Sequence, residues 1–334
     1  MILLGIDISV VVPVYNRPEL LEKAINALEG QSVGRQRFEA ILVYGKNPEV
    51  KKVCEKAAKK FSNFIAIESD SESPARKRNI GISAAKGKII AFTDDDCIPE
   101  KDWLSAIAKN LGPDNGLAGI EGLTYTEGKR QLYSNAPVNL GGGLFPTCNM
   151  AFRKKVLDRI GGFDEAYHFY REDTDLAFRA MDFGKIEFCK EAKVLHPRRK
   201  VPLLRPLETI FLLKEDVRLM KKQWKKYWEY LGKQFLIEIV KLIASGVLLL
   251  LAVKAYDIFM LIASLYFPYI SKFLAEIFSI IFIVVAFIIA WFSFLWFGMK
   301  SKFTIVEFFT YPITTIIRSI FFLFFLVYYW VTVK

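Results

Sequence analysis

The sequence predicts an α/β domain on a Rossmann-like, mainly parallel sheet, followed by an α-helical membrane region. Three observations predict it. β-Branched apolar runs alternate with amphipathic helical stretches over residues 8–93. One of those runs ends in three consecutive aspartates, Asp94, Asp95 and Asp96. Far downstream, residues 277–297 pass without a charge, 21 residues, enough to cross a hydrocarbon layer of ~30 Å.

The elements follow in order. "ISVVVPVY" (8–15) is β-branched and apolar throughout, as a buried strand is. Pro18 opens a helix with Leu20, Leu21, Ala24, Ile25 and Leu28 on one face and Gly30 as its stop. "FEAILVY" (38–44) is a second strand and "EVKKVCEKAAKKF" (49–61) a second helix. "FIAI" (64–67) is a short strand, and "RKRNIGISAAKG" (76–87) a helix expected to end on Gly87. "KIIAFT" (88–93) is the strand that delivers the aspartates. A helix follows in "KDWLSAIAKNLG", then a Gly- and Thr-rich stretch. "REDTDLAFRAMDFG" (171–184) is a helix whose acidic first turn suits the helix dipole. "AKVLHPRRK" (192–200) closes the first domain, residues 1–200.

From residue 201 the character changes. Ile210, Leu213, Val217, Met220, Trp224, Tyr227, Trp228 and Leu231 recur at spacings of three and four, with lysines between them. Residues 201–241 thus form a basic amphipathic juxtamembrane region, suited to a headgroup layer or, alternatively, to packing on the domain. Residues 242–334 are expected to be a helical membrane region of two to four hydrophobic segments, with 277–297 the surest span. The runs 242–253 and 258–270 are separated by Lys254 and Asp257. They read either as halves of one long helix, with those charges pairing at i,i+3, or as a hairpin. Segment 304–333 crosses the bilayer or lies along its surface.

The net charge of +11 is densest just before the apolar region: residues 201–241 carry 9 Lys/Arg against 5 Asp/Glu, the same net +4 as residues 1–200 in a fifth of the length. That asymmetry marks the cytosolic flank of a membrane segment, so a multi-pass cell-membrane protein with its first domain facing the cytoplasm is expected. The opening "MILLGIDISVVVPVYN" reads as a strand rather than a signal peptide. The charge sits beside apolar spans and not on an aromatic-lined groove, so a nucleic-acid partner is not expected. Cys54, Cys97, Cys148 and Cys189 form no CxxC pair and read as reduced core thiols.

Three adjacent carboxylates repel one another unless a cation lies between them. Asp94 and Asp96, at i and i+2 on a strand end, can face one side of a turn. There they can hold a hard divalent cation, Mn²⁺ or Mg²⁺, that bridges to substrate phosphates. In parallel α/β sheets, ligands bind beyond the carboxyl ends of strands.

Three stretches together resemble an inverting family 2 glycosyltransferase of GT-A fold. They are "SVVVPVYNRPELLEKAINAL", "SPARKRNIGISAAKGKIIAFTDDDCIPEKDWL" with its Asp-x-Asp, and "GGFDEAYHFYREDTDLAFRAMDFG". The resemblance covers about 60% of the chain, over residues 7–200. It implies a nucleotide-sugar donor contacted by Pro13, Tyr15, Asn16, Arg78, Asp94, Asp95, Arg198 and Arg199. It implies a metal held by Asp96, Asp94 and His196. It makes Asp173 the general base that deprotonates the acceptor hydroxyl, with Glu172 placing the acceptor. Read from residue chemistry alone, Asp173 and Asp175 also suit helix capping, His196 a structural role, and Arg198 and Arg199 lipid headgroups.

One departure stands out. The family carries an acid that reads the nucleotide base after the second strand, whereas this strand exits as Tyr44, Gly45, Lys46 and Asn47. "QWKKY" (223–227) only faintly resembles the Gln-x-x-Arg-Trp of processive synthases. The expected function is therefore a membrane-anchored glycosyltransferase moving one or a few sugars to the hydroxyl or phosphate of a lipid or lipid-linked acceptor. A processive polysaccharide synthase and a non-catalytic nucleotide-sugar-binding scaffold are the alternatives.

Overall fold

Burial of every residue of Ile8–Pro13 explains its unbroken apolar pattern, because a strand covered on both faces has no polar side. The computed structural model describes residues 6–112, 115–128, 134–202, 205–266, 277, 318, 321–322 and 324–333. Ile8–Pro13 is β1, and Phe38–Tyr44, also wholly buried, is β2. β3 is Phe64–Glu68 and β4 is Ile89–Phe92. β1 lies between β2 and β4 and parallel to both, and β3 extends the sheet beyond β2, again in parallel.

The crossover helices are α1 (Pro18–Glu29), α2 (Pro48–Lys60) and α3 (Pro74–Ala84). Each begins on a proline, whose fixed φ and missing N–H suit the first helical position. α3 stops at Ala84 rather than at Gly87. Gly87 has another task. A Cβ there would lie 2.6 Å from the Ser9 backbone nitrogen. Only glycine lets the α3–β4 connection come so close to β1, where the Gly87 N–H donates to Ser9 Oγ at 2.8 Å.

β5 (Ile98–Pro99), α4 (Trp103–Leu111), β6 (Leu117–Tyr125), β7 (Ser134–Asn135) and β8 (Met150–Arg153) follow. Then come α5 (Lys154–Ile160), α6 (Glu172–Ala180), β9 (Lys185–Leu195) and β10 (Arg199–Lys200). The main sheet runs β3-β2-β1-β4-β8-β6-β9-β5. It is mixed but still mainly parallel: β8 is antiparallel to both β4 and β6, and β5 is antiparallel to β9. β6 and β9 pair in parallel with two register shifts. β1 leads through α1 toward β2 and β3 on one side, while β4 lies on the other. The crevice beyond the carboxyl ends of β1 and β4 is therefore a topological switch point.

The remaining helices are α7 (Arg205–Glu208), α8 (Leu213–Lys222) and α9 (Trp224–Tyr266). The apolar stripe of the amphipathic region is buried rather than open to a headgroup layer: Ile210, Leu213, Val217, Met220, Tyr227 and Leu231 are each at most 5% exposed. Residues 242–253 and 258–266 belong to one continuous helix, α9, with Lys254 Nζ 3.4 Å from Asp257 Oδ2. Among the described residues no helix is long and apolar enough to cross a membrane. The expected span 277–297 lies outside the described residues beyond Ile277. All four cysteines are buried and none is in a disulfide.

The chain divides into two compact units. The first comprises residues 1–128, 135–199 and 219–230, and the second residues 129–134, 200–218 and 231–334. The site lies in the first.

Candidate active site

β1 and β4 end side by side, and their loops are tied together. The Tyr15 N–H donates to Asp95 Oδ2 at 2.7 Å. The aspartate turn is closed by the Cys97 N–H donating to the Asp94 carbonyl at 3.1 Å. These bonds fix the turn so that Arg17 lies against both Asp95 and Asp96, while Asp94 and Asp96 bring carboxylate oxygens within 4.8 Å of each other.

Asp94 is half-buried and faces Arg78, whose guanidinium lies 3.0 Å from Asp94 Oδ1 and 3.1 Å from Glu172 Oε1. Asp95 is buried at the end of β1, with Arg17 3.5 Å away. Burial pushes its carboxyl pKa up, against the pull of Arg17. Asp96 is fully buried and accepts from both Arg17 and Arg199. Arg198 is half-buried beside Arg199.

Asp94, Asp96, Cys97 and His196 bring one candidate ligand atom each within 4.8 Å of one another. The donor set fits a hard divalent cation through its two carboxylates and imidazole. His196 Nδ1 lies 3.0 Å from the Pro197 carbonyl, while Nε2 faces Asp96 Oδ1 at 3.8 Å. The backbone contact fixes the ring so that Nε2 turns inward. Burial lowers the His196 pKa and so favours the neutral, ligating form. Burial pushes the Cys97 thiol up, and a protonated thiol is a poor ligand for such a cation.

Across the cleft, α6 starts with Arg171 in a left-handed conformation, φ 70°. That kink sets Glu172 and Asp173 on the cleft wall. Asp173 Oδ1 accepts from the Thr174 N–H at 2.7 Å. Burial, reinforced by the neighbouring Glu172 charge, pushes the Asp173 pKa up to about 7. Asp175 has a different role: it is fully buried, with Arg179 at 2.7 Å and Lys222 at 2.8 Å. The two acids of one helical turn are thus separated, one to the cleft and one to the interior.

The cleft, of about 210 Å³, brings together Pro13, Tyr15, Arg78, Asp94, Asp95, Glu172 and Asp173. Asn16, Asp96, His196, Arg198 and Arg199 are not among its walls, and Asn16 bonds instead to Asn47, the N-cap of α2. Arg17, Lys77 and Glu72 are site residues that sequence reasoning missed. Lys77 is 1% exposed and donates to the Val14 carbonyl at 2.8 Å and to Glu72 Oε2 at 2.6 Å. The Lys77 ammonium holds Glu72 below the usual carboxylate range. Glu72 in turn accepts the Lys46 N–H at 3.3 Å and packs over Gly45, where a Cβ would collide with it. A carboxylate therefore does stand at the end of β2, supplied from the β3–α3 loop. The visible signal was Glu72 five residues before Lys77, with Gly45 leaving room for it.

Comparison with known proteins accords with this geometry. Residues 9–162 match the family model described as "Glycosyl transferase family 2". Glycosyltransferase AglE of Haloferax volcanii is 27% identical over 206 residues, 58% of this chain and 67% of the relative. The pre-mycofactocin glycosyltransferase of Mycobacterium tuberculosis is 24% identical over 58% of this chain, which spans only 43% of that relative's length. Among solved structures, the mannosyltransferase PcManGT from Pyrobaculum calidifontis, in complex with GDP-Man and Mn²⁺, superposes with a TM-score of 0.57. That match has 17% identity and covers 85% of this chain and 86% of the other. S. aureus TarS 1-349 in complex with UDP-GlcNAc gives a TM-score of 0.50 at 16% identity, over 67% of this chain and 73% of the other. The fold is of the GT-A glycosyltransferase type.

Proposed function

We propose, from the family 2 glycosyl transferase domain at residues 9–162, that the chain is a metal-dependent inverting glycosyltransferase. It moves a sugar from a nucleotide-sugar donor to an acceptor hydroxyl. The observation that carries this reading is the Arg78 bridge. One buried guanidinium joins Asp94, on the aspartate wall, to Glu172, beside Asp173 on the opposite wall. A donor diphosphate and a proton acceptor can then face the same sugar from two sides.

Asp94, Asp96 and His196 would hold the divalent cation, Mn²⁺ or Mg²⁺. When bound, such a cation neutralises the charge growing on the leaving diphosphate. Arg17 and Arg199, now on Asp96, lie where they can turn to phosphate oxygens. Tyr15, 50% exposed, offers a ring face to the nucleoside, and Glu72 an acceptor for base N–H groups. Asp173 takes the proton of the incoming hydroxyl, and its pKa near 7 is matched to that task. One displacement inverts the anomeric centre, so a second nucleophilic carboxylate is not required.

Membrane anchoring, with the domain facing the cytoplasm, is part of the proposal, and so is a lipid or lipid-linked acceptor. The run of exposed apolar side chains on α9, among them Val240, Ile243, Val247 and Leu250, supports it.

The test is nucleoside diphosphate release by full-length protein in detergent. UDP-, GDP- and dTDP-sugars would be offered with Mn²⁺ or Mg²⁺, with and without lipid extract. Metal-dependent release from one donor, lowered by about 10²–10⁴ in Asp173→Asn and raised by lipid, is the expected result. Metal-dependent donor binding without release under any condition would instead favour the scaffold reading.

A further inference from the structure

A second cavity, of about 220 Å³, adjoins the cleft and shares Pro137, Pro146, Phe169, Glu172 and Asp173 with it. Its own walls are Val138, Leu144 and Tyr170, with Arg171 and Thr174 beside the two acids at the start of α6, so that away from α6 the lining is apolar. Val138 is 39% exposed, Leu144 41% and Phe169 62%. Water-exposed aliphatic and aromatic side chains grouped around a site mark something that covers them.

The loop carrying these side chains is built, not slack. Glu121, 3% exposed, accepts the Asn139 side-chain N–H at 2.9 Å and the Phe145 N–H at 3.0 Å, and also the Gly143 N–H. Asn139 Oδ1 accepts the Gly142 N–H at 2.9 Å. Phe145 sits at φ 53°, a left-handed conformation that a bulky residue holds only when its surroundings over-determine it. Its buried ring packs on Phe178 and Tyr230. A buried carboxylate and a strained residue thus hold Val138 and Leu144 open beside Asp173.

We propose that this groove is the acceptor subsite and that it takes the hydrocarbon chain, prenyl or alkyl, of an amphiphilic acceptor whose hydroxyl lies at Asp173. The proposal rests on the transferase reading above and names its acceptor class. Continuity argues for it: whatever fills the groove abuts Asp173, so the occupant is a substrate. Composition argues for it too. A saccharide needs polar partners along its length, yet the polar groups here are confined to the start of α6. An aliphatic chain needs none.

The test is photo-crosslinking of full-length protein with a diazirine-bearing fatty alcohol, mapped by peptide mass spectrometry. Label in residues 137–146 and 169–170 is expected, suppressed by excess farnesol and not by glucose. Leu144→Asp with Phe169→Asp should cut that label at least several-fold. Leu144→Ser with Phe169→Ser serves the same purpose if the charged pair does not fold. With lipid extract as acceptor, either pair should raise KM by about tenfold or more. Label confined to α9 and the C-terminal residues, or label that glucose competes away, would overturn the proposal. The crosslink needs neither donor nor metal. A labelled groove without any turnover would count against the transferase reading alone, and turnover without groove label against this inference alone.

Discussion

Arg78 sits between two carboxylates, its side chain 5% exposed, and the site depends on that single guanidinium. Removing one partner of a buried charge cluster leaves the others uncompensated, which costs about 3–5 kcal/mol. Asp94 is partly open to water, so Arg78→Ala should fall at the lower end of that range, read by urea unfolding. Arg78→Lys keeps the charge but not the fork that reaches both acids. It should recover part of the stability and little of the turnover. Asp173 supports a second expectation. Its carboxyl is raised by burial and then by Glu172, so it is ionised only above about pH 7. Only the ionised form accepts a proton, so kcat should be full above that pH and fall about tenfold per unit below it. Glu172→Gln removes one of the raising charges and should move the acid limb to lower pH. A limb that stays in place would separate Asp173 from the proton transfer.

At the scale of elements, the first turn of α6 divides chemistry from architecture. Asp175 is fully buried, bonded to Arg179 and Lys222, and accepts the Gln223 side-chain N–H at 3.2 Å. It fixes the α8–α9 junction to α6. Asp175→Ala should therefore destabilise the fold by about 3–5 kcal/mol, whereas Asp173→Asn should lower kcat by about 10²–10⁴ with little change in unfolding midpoint. Measuring both quantities for both variants checks the division. The same contrast explains what was legible in the sequence. β1 to β4 and their helices carry plain periodicity, and β2 matches its expected bounds of 38–44. β6, β8 and β9 were unmarked, because β6 carries glycines and β9 is mostly polar, so neither alternates cleanly. Gly119 and Gly122 are there for close approach: a Cβ at either would collide with neighbouring groups, including the Ala151 and Ala192 carbonyls. α3 was legible only in part: Arg78 was named through the family resemblance and Lys77 was not, yet both are buried and spend their charges on the cleft. Asp94 and Asp96 could be named from the sequence because three adjacent acids at a strand end are anomalous there, and Asp173 only through the family resemblance, since an acidic first turn by itself suits a helix dipole. Arg17, Glu72 and Glu121 could not, because only the folded chain shows what they hold.

At the scale of the molecule, the question is what faces the apolar side chains of the second unit. On α9, Leu236, Val240, Ile243, Val247, Leu250, Leu261 and Leu265 are each more than half exposed or nearly so, Val247 the least at 49%. Near the C-terminus Phe324, Val327 and Val331 are exposed by 58–77%. Lys254 and Asp257 interrupt the α9 run but pair with each other, which lowers the cost of taking them out of water. The basic stretch before it offers a competing means of attachment, through anionic headgroups. Yet Lys222 lies 2.9 Å from Asp164 and Lys226 2.6 Å from Asp182, so part of that charge is neutralised within the first unit. Attachment should then be apolar in the main. The two modes separate in salt: at about 1 M the screening length falls to ~3 Å, which releases a protein held by headgroup charge and leaves one held by hydrocarbon. Full-length protein should sediment with membranes through such a wash and through alkaline carbonate, and leave them only in detergent. Recovery in the supernatant after salt alone would refute anchoring by the second unit and leave a domain that only visits the lipid surface.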